Sequence, residues 1–187
     1  MKKGILAAIL ILAVLAAAVG FRLYGNAYPI EPDGSNLESY AVDFLNRGRE
    51  HPDPGLLKLY DSIDIGDRRW TLMEWGEDLG VLRMEKGLNG RYKVTGASYG
   101  TANFQEWVEE ANGGKYFLLG GRNAYFNIGQ VTAAIGGREY RIDIPEGERF
   151  FTAVEVDPQT EETRALPDAL RFYDRAGNDV TEQIRWN

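Results

Sequence analysis

The residues that most often carry nucleophilic or metal-dependent chemistry are nearly absent from this sequence. Its 187 residues include a single histidine, His51, and no cysteine. A Ser-His-Asp or histidine-based acid–base site would need His51, but this residue lies in a His-Pro-Asp-Pro segment that is typical of a solvated loop. The absence of cysteine excludes a thiol nucleophile, a zinc-thiolate site and disulfide bonds. We therefore predict no catalytic residue, no metal site and no cofactor.

Carboxylates are the one abundant group that could do acid–base chemistry, since the chain holds 28 Asp and Glu residues. Glycoside hydrolysis uses two of them about 5 to 10 Å apart across a cleft. Pairs such as Glu74 with Glu85, or Asp143 with Glu155, are available. An acidic protein also places such pairs on solvated faces by chance, so a carboxylate-based envelope hydrolase is kept as an alternative hypothesis.

One group of oxygen-bearing side chains near the C-terminus has the composition of a calcium site. Asp174, Asn178 and Asp179 offer the hard oxygen ligands that Ca²⁺ prefers. They lack the alternating Asp-x-Asp-x-Asp spacing that would bring three carboxylates around one ion. Because Asp and Asn side chains also bond to their own backbone in turns, we interpret this segment as a hairpin turn.

The sequence offers more candidate residues for ligand binding than for catalysis. Gly120 and Gly121 follow an apolar run, so a ligand could approach the backbone there while Arg122 holds an anionic group. A tight turn at the end of a strand explains the same glycines. Several tyrosines also lie near glycine turns and could form a face for a glycan or a peptide. The candidate ligand-binding residues are Arg122, Asn123, Tyr92, Tyr99, Tyr116 and Tyr125.

The N-terminus carries the clearest signal for location. Gly4 to Phe21 is an uncharged apolar run between Lys2-Lys3 and Arg22, and Tyr24 suits the headgroup region that follows. As a helix these 18 residues span about 27 Å, close to a hydrocarbon core of about 30 Å. We predict a single-pass membrane helix over residues 1–24, with the lysines in the cytoplasm and the rest of the chain outside it.

A cleavable signal peptide is the competing interpretation of the same residues. Its apolar core would run from Ile5 to Leu15, and Ala16-Ala17-Ala18 or Gly25-Asn26-Ala27 would provide the small residues of a cleavage site. The protein would then be secreted rather than anchored. Both interpretations place the remaining chain outside the cytoplasm.

The exported part is acidic. After residue 27 the chain carries all 28 acidic residues against 18 basic ones, a net charge of about −10. Such a domain repels phosphate backbones, which excludes nucleic acid as a partner. The chain also lacks the G-x-G-x-x-G and G-x-x-x-x-G-K-[ST] patterns, so nucleotide binding is not supported.

The chain after the apolar run divides into a short stalk and one domain. Prolines and glycines over 25–34 predict an extended stalk, and 35–187 predicts a single β-rich domain. Ser35 and Glu38 have capping-box spacing, the apolar residues that follow have helical spacing, and Gly48 suits a C-terminal cap. These signals predict an amphipathic helix over Asn36–Arg47.

Short apolar runs separated by turn residues continue from Leu56 to the C-terminus, as in an antiparallel sandwich or barrel. Asn89-Gly90 is the strongest hairpin signal and predicts a type I′ turn. Phe104–Ala111 is predicted as a short helix, because Phe104, Trp107 and Val108 have helical spacing. The predicted fold is α+β, mostly antiparallel, with about 8 to 10 strands.

These observations favour a non-enzymatic function. We expect a membrane-anchored binding or accessory module of the cell envelope, whose partner is an envelope protein, a peptide or a glycan. The alternatives are the carboxylate-based hydrolase and a structural domain that associates with its own copies.

Overall fold

The computed structural model describes residues 2–47 and 54–185. His51 and Gly48, for which we predicted a solvated loop and a helix cap, lie outside the described residues. Three helices and ten strands occur within the described part of the chain. The helices are α1 (Lys2–Ala27), α2 (Leu37–Leu45) and α3 (Thr181–Arg185). The strands are β1 (Leu57–Ile65), β2 (Arg68–Trp75), β3 (Asp78–Lys86), β4 (Tyr92–Gly100), β5 (Phe104–Ala111), β6 (Gly114–Arg122), β7 (Ile128–Ile135), β8 (Arg138–Asp143), β9 (Arg149–Val156) and β10 (Leu170–Asp174).

The strands form three antiparallel sheets, which confirms the predicted α+β fold. Sheet A has the order β1-β2-β3-β4, sheet B the order β5-β6-β9, and sheet C the order β10-β7-β8. Short turns join consecutive strands in most hairpins. The loop between β8 and β9 returns the chain from sheet C to sheet B, and the segment after β9 leads back to sheet C.

Sheet B is the middle layer of the stack. Along β6, Phe117 and Leu119 belong to the core shared with sheet C, whereas Leu118 packs into the core shared with sheet A. Alternate residues of a strand point to opposite faces, so both faces of sheet B are covered. This explains why β6 appears in the sequence as a continuous apolar run rather than as an alternating one.

A third core covers the outer face of sheet A. Leu37, Ala41 and Leu45 of α2 are buried there with Met73 of β2 and Leu82 of β3. The predicted helix is therefore confirmed, with bounds Leu37–Leu45 inside the expected range. The predicted capping box is wrong, because the N-cap is Asn36 rather than Ser35. The Asn36 side chain accepts the Glu31 N–H at 2.8 Å and donates to the Pro29 carbonyl at 3.1 Å.

The segment Phe104–Ala111 is a strand, so the helix predicted there is wrong. Phe104 and Val108 face sheet C, while Trp107 and Ala111 face sheet A. A strand with apolar residues on both faces has them at positions that also fit a helix, which is why the periodicity was misleading. The deciding signal is Asn112-Gly113, where φ values of 51° and 76° form a two-residue hairpin turn between Ala111 and Gly114.

The predicted hairpin at Asn89-Gly90 is present, but its type I′ turn is wrong. β3 and β4 pair from Lys86 with Tyr92, which leaves a five-residue loop. Of the two turn residues only Gly90 has a positive φ, at 77°, whereas type I′ needs both. We call residues 87–91 the β3–β4 loop.

Helix α1 continues directly into contacts with the domain. The span Leu10–Ala27 is long and apolar enough to cross a membrane, and none of it is buried inside the domain. Ile30 follows and is buried, with backbone hydrogen bonds of 2.9 Å in both directions to Tyr92 of β4. The segment that we expected to be an extended stalk is thus shortened by α1 and held against sheet A.

Candidate functional site

A buried carboxylate lies between sheets A and B. Glu74 is near the end of β2, is 4% exposed and points toward sheet B with Leu72. The Tyr60 hydroxyl donates to its Oε2 at 2.6 Å. The Arg122 Nε donates to Oε1 at 3.1 Å, and the Arg149 Nη2 donates to Oε2 at 2.9 Å. Further bonds from the Arg149 Nε and Nη2 reach Oε1.

Strand pairing brings the two arginines together. Arg122 at the end of β6 is directly opposite Arg149 at the start of β9. Both side chains point toward sheet A, where Tyr60 of β1 and Glu74 of β2 meet them. The Arg149 guanidinium also lies over the Tyr60 ring, 4.3 Å from its centroid. Close packing of the two sheets supports this contact, because a Cβ on Gly120 would lie 2.7 Å from Leu72 Cδ1.

The surroundings of Glu74 keep it ionised. Burial by itself raises the pKa of Glu74, but the hydrogen bonds from Tyr60, Arg149 and Arg122 outweigh burial and lower that pKa below its ordinary value. Burial and the bond to Glu74 raise the pKa of Tyr60 to about 12, so its hydroxyl keeps its proton. Because both Glu74 oxygens are occupied by donors, this carboxylate is suited to joining the two sheets rather than to moving protons.

An open cleft of about 600 Å³ adjoins this cluster, and we call it the Glu74 cleft. Tyr125 is 93% exposed at its edge. Its lining is polar, with one exposed aromatic ring, and consists of Glu74, Gly76, Glu77, Thr101, Asn103, Arg122 and Tyr125. Arg122 also donates from Nη2 to the Glu77 carbonyl, which fixes the guanidinium in the wall of the cleft.

Two of the six predicted binding residues, Arg122 and Tyr125, line this cleft together. Asn123 lies between them but is buried. Its Nδ2 donates to the Ile128 carbonyl at 3.1 Å, and its Oδ1 accepts the Ile128 N–H at 2.6 Å. Asn123 therefore shapes the loop that presents Tyr125 and does not face the cleft.

The other three predicted tyrosines lie elsewhere. Tyr92 is buried in the core beneath α2, with the Arg69 guanidinium 4.2 Å from its ring centroid. Tyr99 is opposite Gly80 on the face of sheet A that carries α2. Tyr116 packs against the core between sheets A and B. Tyr92 and Tyr99 thus lie on the α2 face of sheet A and Tyr116 lies between sheets A and B, so none of the three lies with Tyr125 at the cleft.

The sequence contained one signal for the buried cluster. Glu74 is the one charged residue in the run from Trp70 to Trp75, a composition typical of a buried strand. A buried charge must be paired, so Glu74 indicates an ion pair. Its partners Tyr60 and Arg149 were missed, because their separations of 14 and 75 residues from Glu74 leave no local pattern.

The carboxylate pairs considered from the sequence do not form facing pairs. Glu74 is opposite Leu79 of β3, and Glu85 lies six residues farther along that strand, about 20 Å away. Asp143 follows Ile142, and Glu155 lies between Val154 and Val156, all of which face the core between sheets C and B. By strand alternation both carboxylates therefore point away from the space between these two sheets. These two pairs therefore do not face each other across a cleft.

The C-terminal oxygen cluster forms the turn that we predicted. Asp174 Oδ1 accepts the N–H groups of Ala176 and Asn178, and Oδ2 accepts the Asn178 Nδ2 at 2.9 Å. The hydrogen bond from the Asn178 side chain makes the largest contribution to lowering the pKa of Asp174. Asp179 Oδ1 accepts the Thr181 N–H at 2.9 Å.

Comparison of the chain with protein-family models, with curated proteins and with solved structures finds no match. Function is therefore inferred from the geometry of the Glu74 cleft and of α1.

Proposed function

We propose that this chain is a membrane-anchored binding module of the cell envelope, whose β-domain lies outside the cytoplasm and binds a glycan in the Glu74 cleft. The observation that carries the proposal is an open polar cleft with an exposed tyrosine, located at the end of sheet A farthest from α1. Export and anchoring are supported by the apolar span of α1, which has Lys2 and Lys3 on its N-terminal side.

The position of the cleft supports a ligand that lies away from the bilayer. Strand β3 begins at Asp78, next to the cleft residue Glu77, and ends at Lys86, next to the loop that contacts α1. Its nine residues extend about 30 Å at about 3.3 Å per residue. A cleft at the far end of this strand would face the envelope rather than the lipid.

The lining of the cleft supports a neutral, hydroxyl-rich ligand. Thr101 and Asn103 supply donors and acceptors of hydrogen bonds, and the exposed Tyr125 ring offers a flat apolar face. The positive charge of Arg122 is balanced by Glu74 at 3.1 Å. A strongly charged ligand would therefore gain little from this site, whereas a sugar could use both the polar groups and the ring.

A binding assay on the full chain in lipid nanodiscs tests the proposal. The probes are a panel of neutral oligosaccharides and solubilised cell-wall glycan fragments. We expect saturable binding, and we expect Tyr125→Ala to weaken it by about two- to tenfold, which corresponds to the about 0.5–1.5 kcal/mol of an aromatic contact. Tyr99→Ala, on the opposite face of sheet A, is the matched control and should bind as the unaltered chain does.

Four results would contradict the proposal. The absence of binding to every glycan, or equal binding by Tyr125→Ala, would remove the cleft as a glycan site. Cleavage of a bound oligosaccharide would favour the hydrolase instead. A mature mass lacking about the first 18 or 27 residues would contradict the anchor and favour secretion after signal-peptide cleavage.

A further inference from the structure

Among the described residues of the β-domain, the most exposed large apolar side chain is at the tip of the β3–β4 loop. Leu88 is 98% exposed. The loop around it is nonetheless well defined, because the Gly87 N–H donates to the Arg91 carbonyl at 2.7 Å and the Gly90 N–H donates to the Gly87 carbonyl at 2.9 Å. A single exposed leucine is common on protein surfaces, so its position decides whether it has a role.

The β3–β4 loop lies beside the end of the apolar helix. The Leu88 N–H donates to the Tyr24 hydroxyl at 2.8 Å. Long side chains of a helix lean toward its N-terminus, so the Tyr24 hydroxyl lies about one turn back along α1, near Phe21. Phe21 and Leu23 are themselves exposed along this part of the helix. Leu88 is thus placed where α1 would leave the hydrocarbon core.

Further contacts fix the loop relative to α1. The rings of Tyr24 and Tyr28 lie 4.9 Å apart, and the Tyr28 hydroxyl donates to Glu85 Oε1 at 3.1 Å. Tyr28 also packs over the loop, since a Cβ on Gly87 would lie 2.7 Å from Tyr28 Cγ. The helix end and the loop therefore form one unit.

The charges nearest to this unit favour contact with a membrane. The segments 22–31 and 85–93 contain four basic and two acidic residues. The two acidic residues are paired, Glu31 with Arg91 and Glu85 with Lys93. The acidic residues of the β1–β2 turn, which lies at the same end of sheet A, are likewise each paired with an arginine. The remaining exported chain holds 26 acidic residues against 15 basic ones. An anionic bilayer would therefore repel the rest of the domain but not the end that carries the β3–β4 loop.

We propose that the β3–β4 loop is a membrane-contact loop, in which Leu88 enters the boundary between headgroups and acyl chains beside α1. The lipid bilayer is the partner, and the contact holds the β-domain in one orientation with the Glu74 cleft directed away from the membrane. This inference rests on the membrane anchor of the proposed function, but not on the ligand of the cleft.

Site-specific labelling of the full chain tests the loop, because the chain contains no cysteine of its own. Leu88→Cys, Phe21→Cys and Tyr125→Cys would each carry one fluorophore in vesicles whose lipids bear a nitroxide near the top of the acyl chain. Leu88 and Tyr125 are matched in exposure, and neither side chain contributes to a core, so both variants should fold. We expect strong lipid quenching at Phe21 and Leu88 and several-fold weaker quenching at Tyr125.

Two other quenching patterns would contradict the inference, and each identifies which part of it fails. Quenching at Phe21 together with equally weak quenching at Leu88 and Tyr125 would refute the membrane-contact loop and leave the anchor intact. Weak quenching at Phe21 would refute the anchor itself, and the loop proposal with it.

Discussion

Removing the charge of Glu74 is expected to destabilise the contact between sheets A and B. Glu74→Gln removes the carboxylate that Arg122 and Arg149 share between the sheets, where these side chains are only 24% and 27% exposed. Arg149 then keeps only the exposed Glu148 carboxylate, at 3.8 Å. Breaking a buried ion pair by altering one partner costs about 3 to 5 kcal/mol. Because the arginines retain some contact with water, we expect a loss of about 3 kcal/mol, at the lower end of that range.

Urea unfolding of the full chain in detergent micelles, followed by tryptophan fluorescence, measures this loss. Trp70 and Trp75 are buried in the cores on the two sides of sheet A and report its integrity. Thermal unfolding should show a midpoint lower by about 6 to 12 °C, given about 2 to 4 °C per kcal/mol for a domain of this size. Glu77→Gln is the matched control, because Glu77 is exposed in the adjoining turn, and should change stability by less than about 0.5 kcal/mol.

The pH dependence provides an independent check of the same reasoning. The pKa of Glu74 is lower in the folded state than in the unfolded chain. Its contribution to stability is therefore present above the ordinary glutamate pKa of about 4.3 and is lost as the pH falls through the lower folded value. The difference between the unaltered chain and Glu74→Gln should shrink in acid. A Glu74→Gln chain as stable as Glu77→Gln at neutral pH would refute the reasoning.

Two further predictions concern other parts of the domain. In Gly113→Ala the new Cβ meets no atom within 4 Å, but the alanine must adopt a φ of 76°, so we expect backbone strain to lower the free energy of unfolding by about 1 to 2 kcal/mol. In Gly120→Ala the new Cβ lies 2.7 Å from Leu72 Cδ1, and we expect overpacking to lower the free energy of unfolding by about 1 to 3 kcal/mol. Urea unfolding of both variants measures the losses, and Gly137→Ala, also at positive φ in open space, should match Gly113→Ala. Burial raises the pKa of Glu106 in the folded state despite the hydrogen bond from the Ala165 N–H. The folded state is therefore less stable once the pH rises from the ordinary glutamate pKa through this raised pKa, because the buried carboxylate must then ionise. Glu106→Gln should therefore be more stable than the unaltered chain at pH 7 and equal to it in acid, and a loss at pH 7 would contradict this.

Local signals in the sequence predicted those elements whose conformation depends on neighbouring residues. The apolar α1, the amphipathic α2 and the hairpin turns each follow from residues a few positions apart, because helical periodicity and positive φ are local properties. The prediction failed for Phe104–Ala111, where burial on both faces of β5 replaced the alternation that marks a strand. It also missed the capping of α2, where Asn36 is the N-cap and bonds to the preceding segment.

The candidate site depended on tertiary structure. The sequence selected Arg122 and Tyr125, which line one cleft, but it also selected Tyr92 and Tyr116, which are part of the cores. Arg122 and Arg149 are 48 and 75 residues from Glu74, and only the stacking of sheet B on sheet A brings them to the same carboxylate. The sequence by itself thus determined the apolar helix and the strand-rich fold, which arise from composition and short-range periodicity. The tertiary structure decided which charges meet, which tyrosine remains exposed and which loop lies beside the apolar helix α1, because those depend on how separate elements pack.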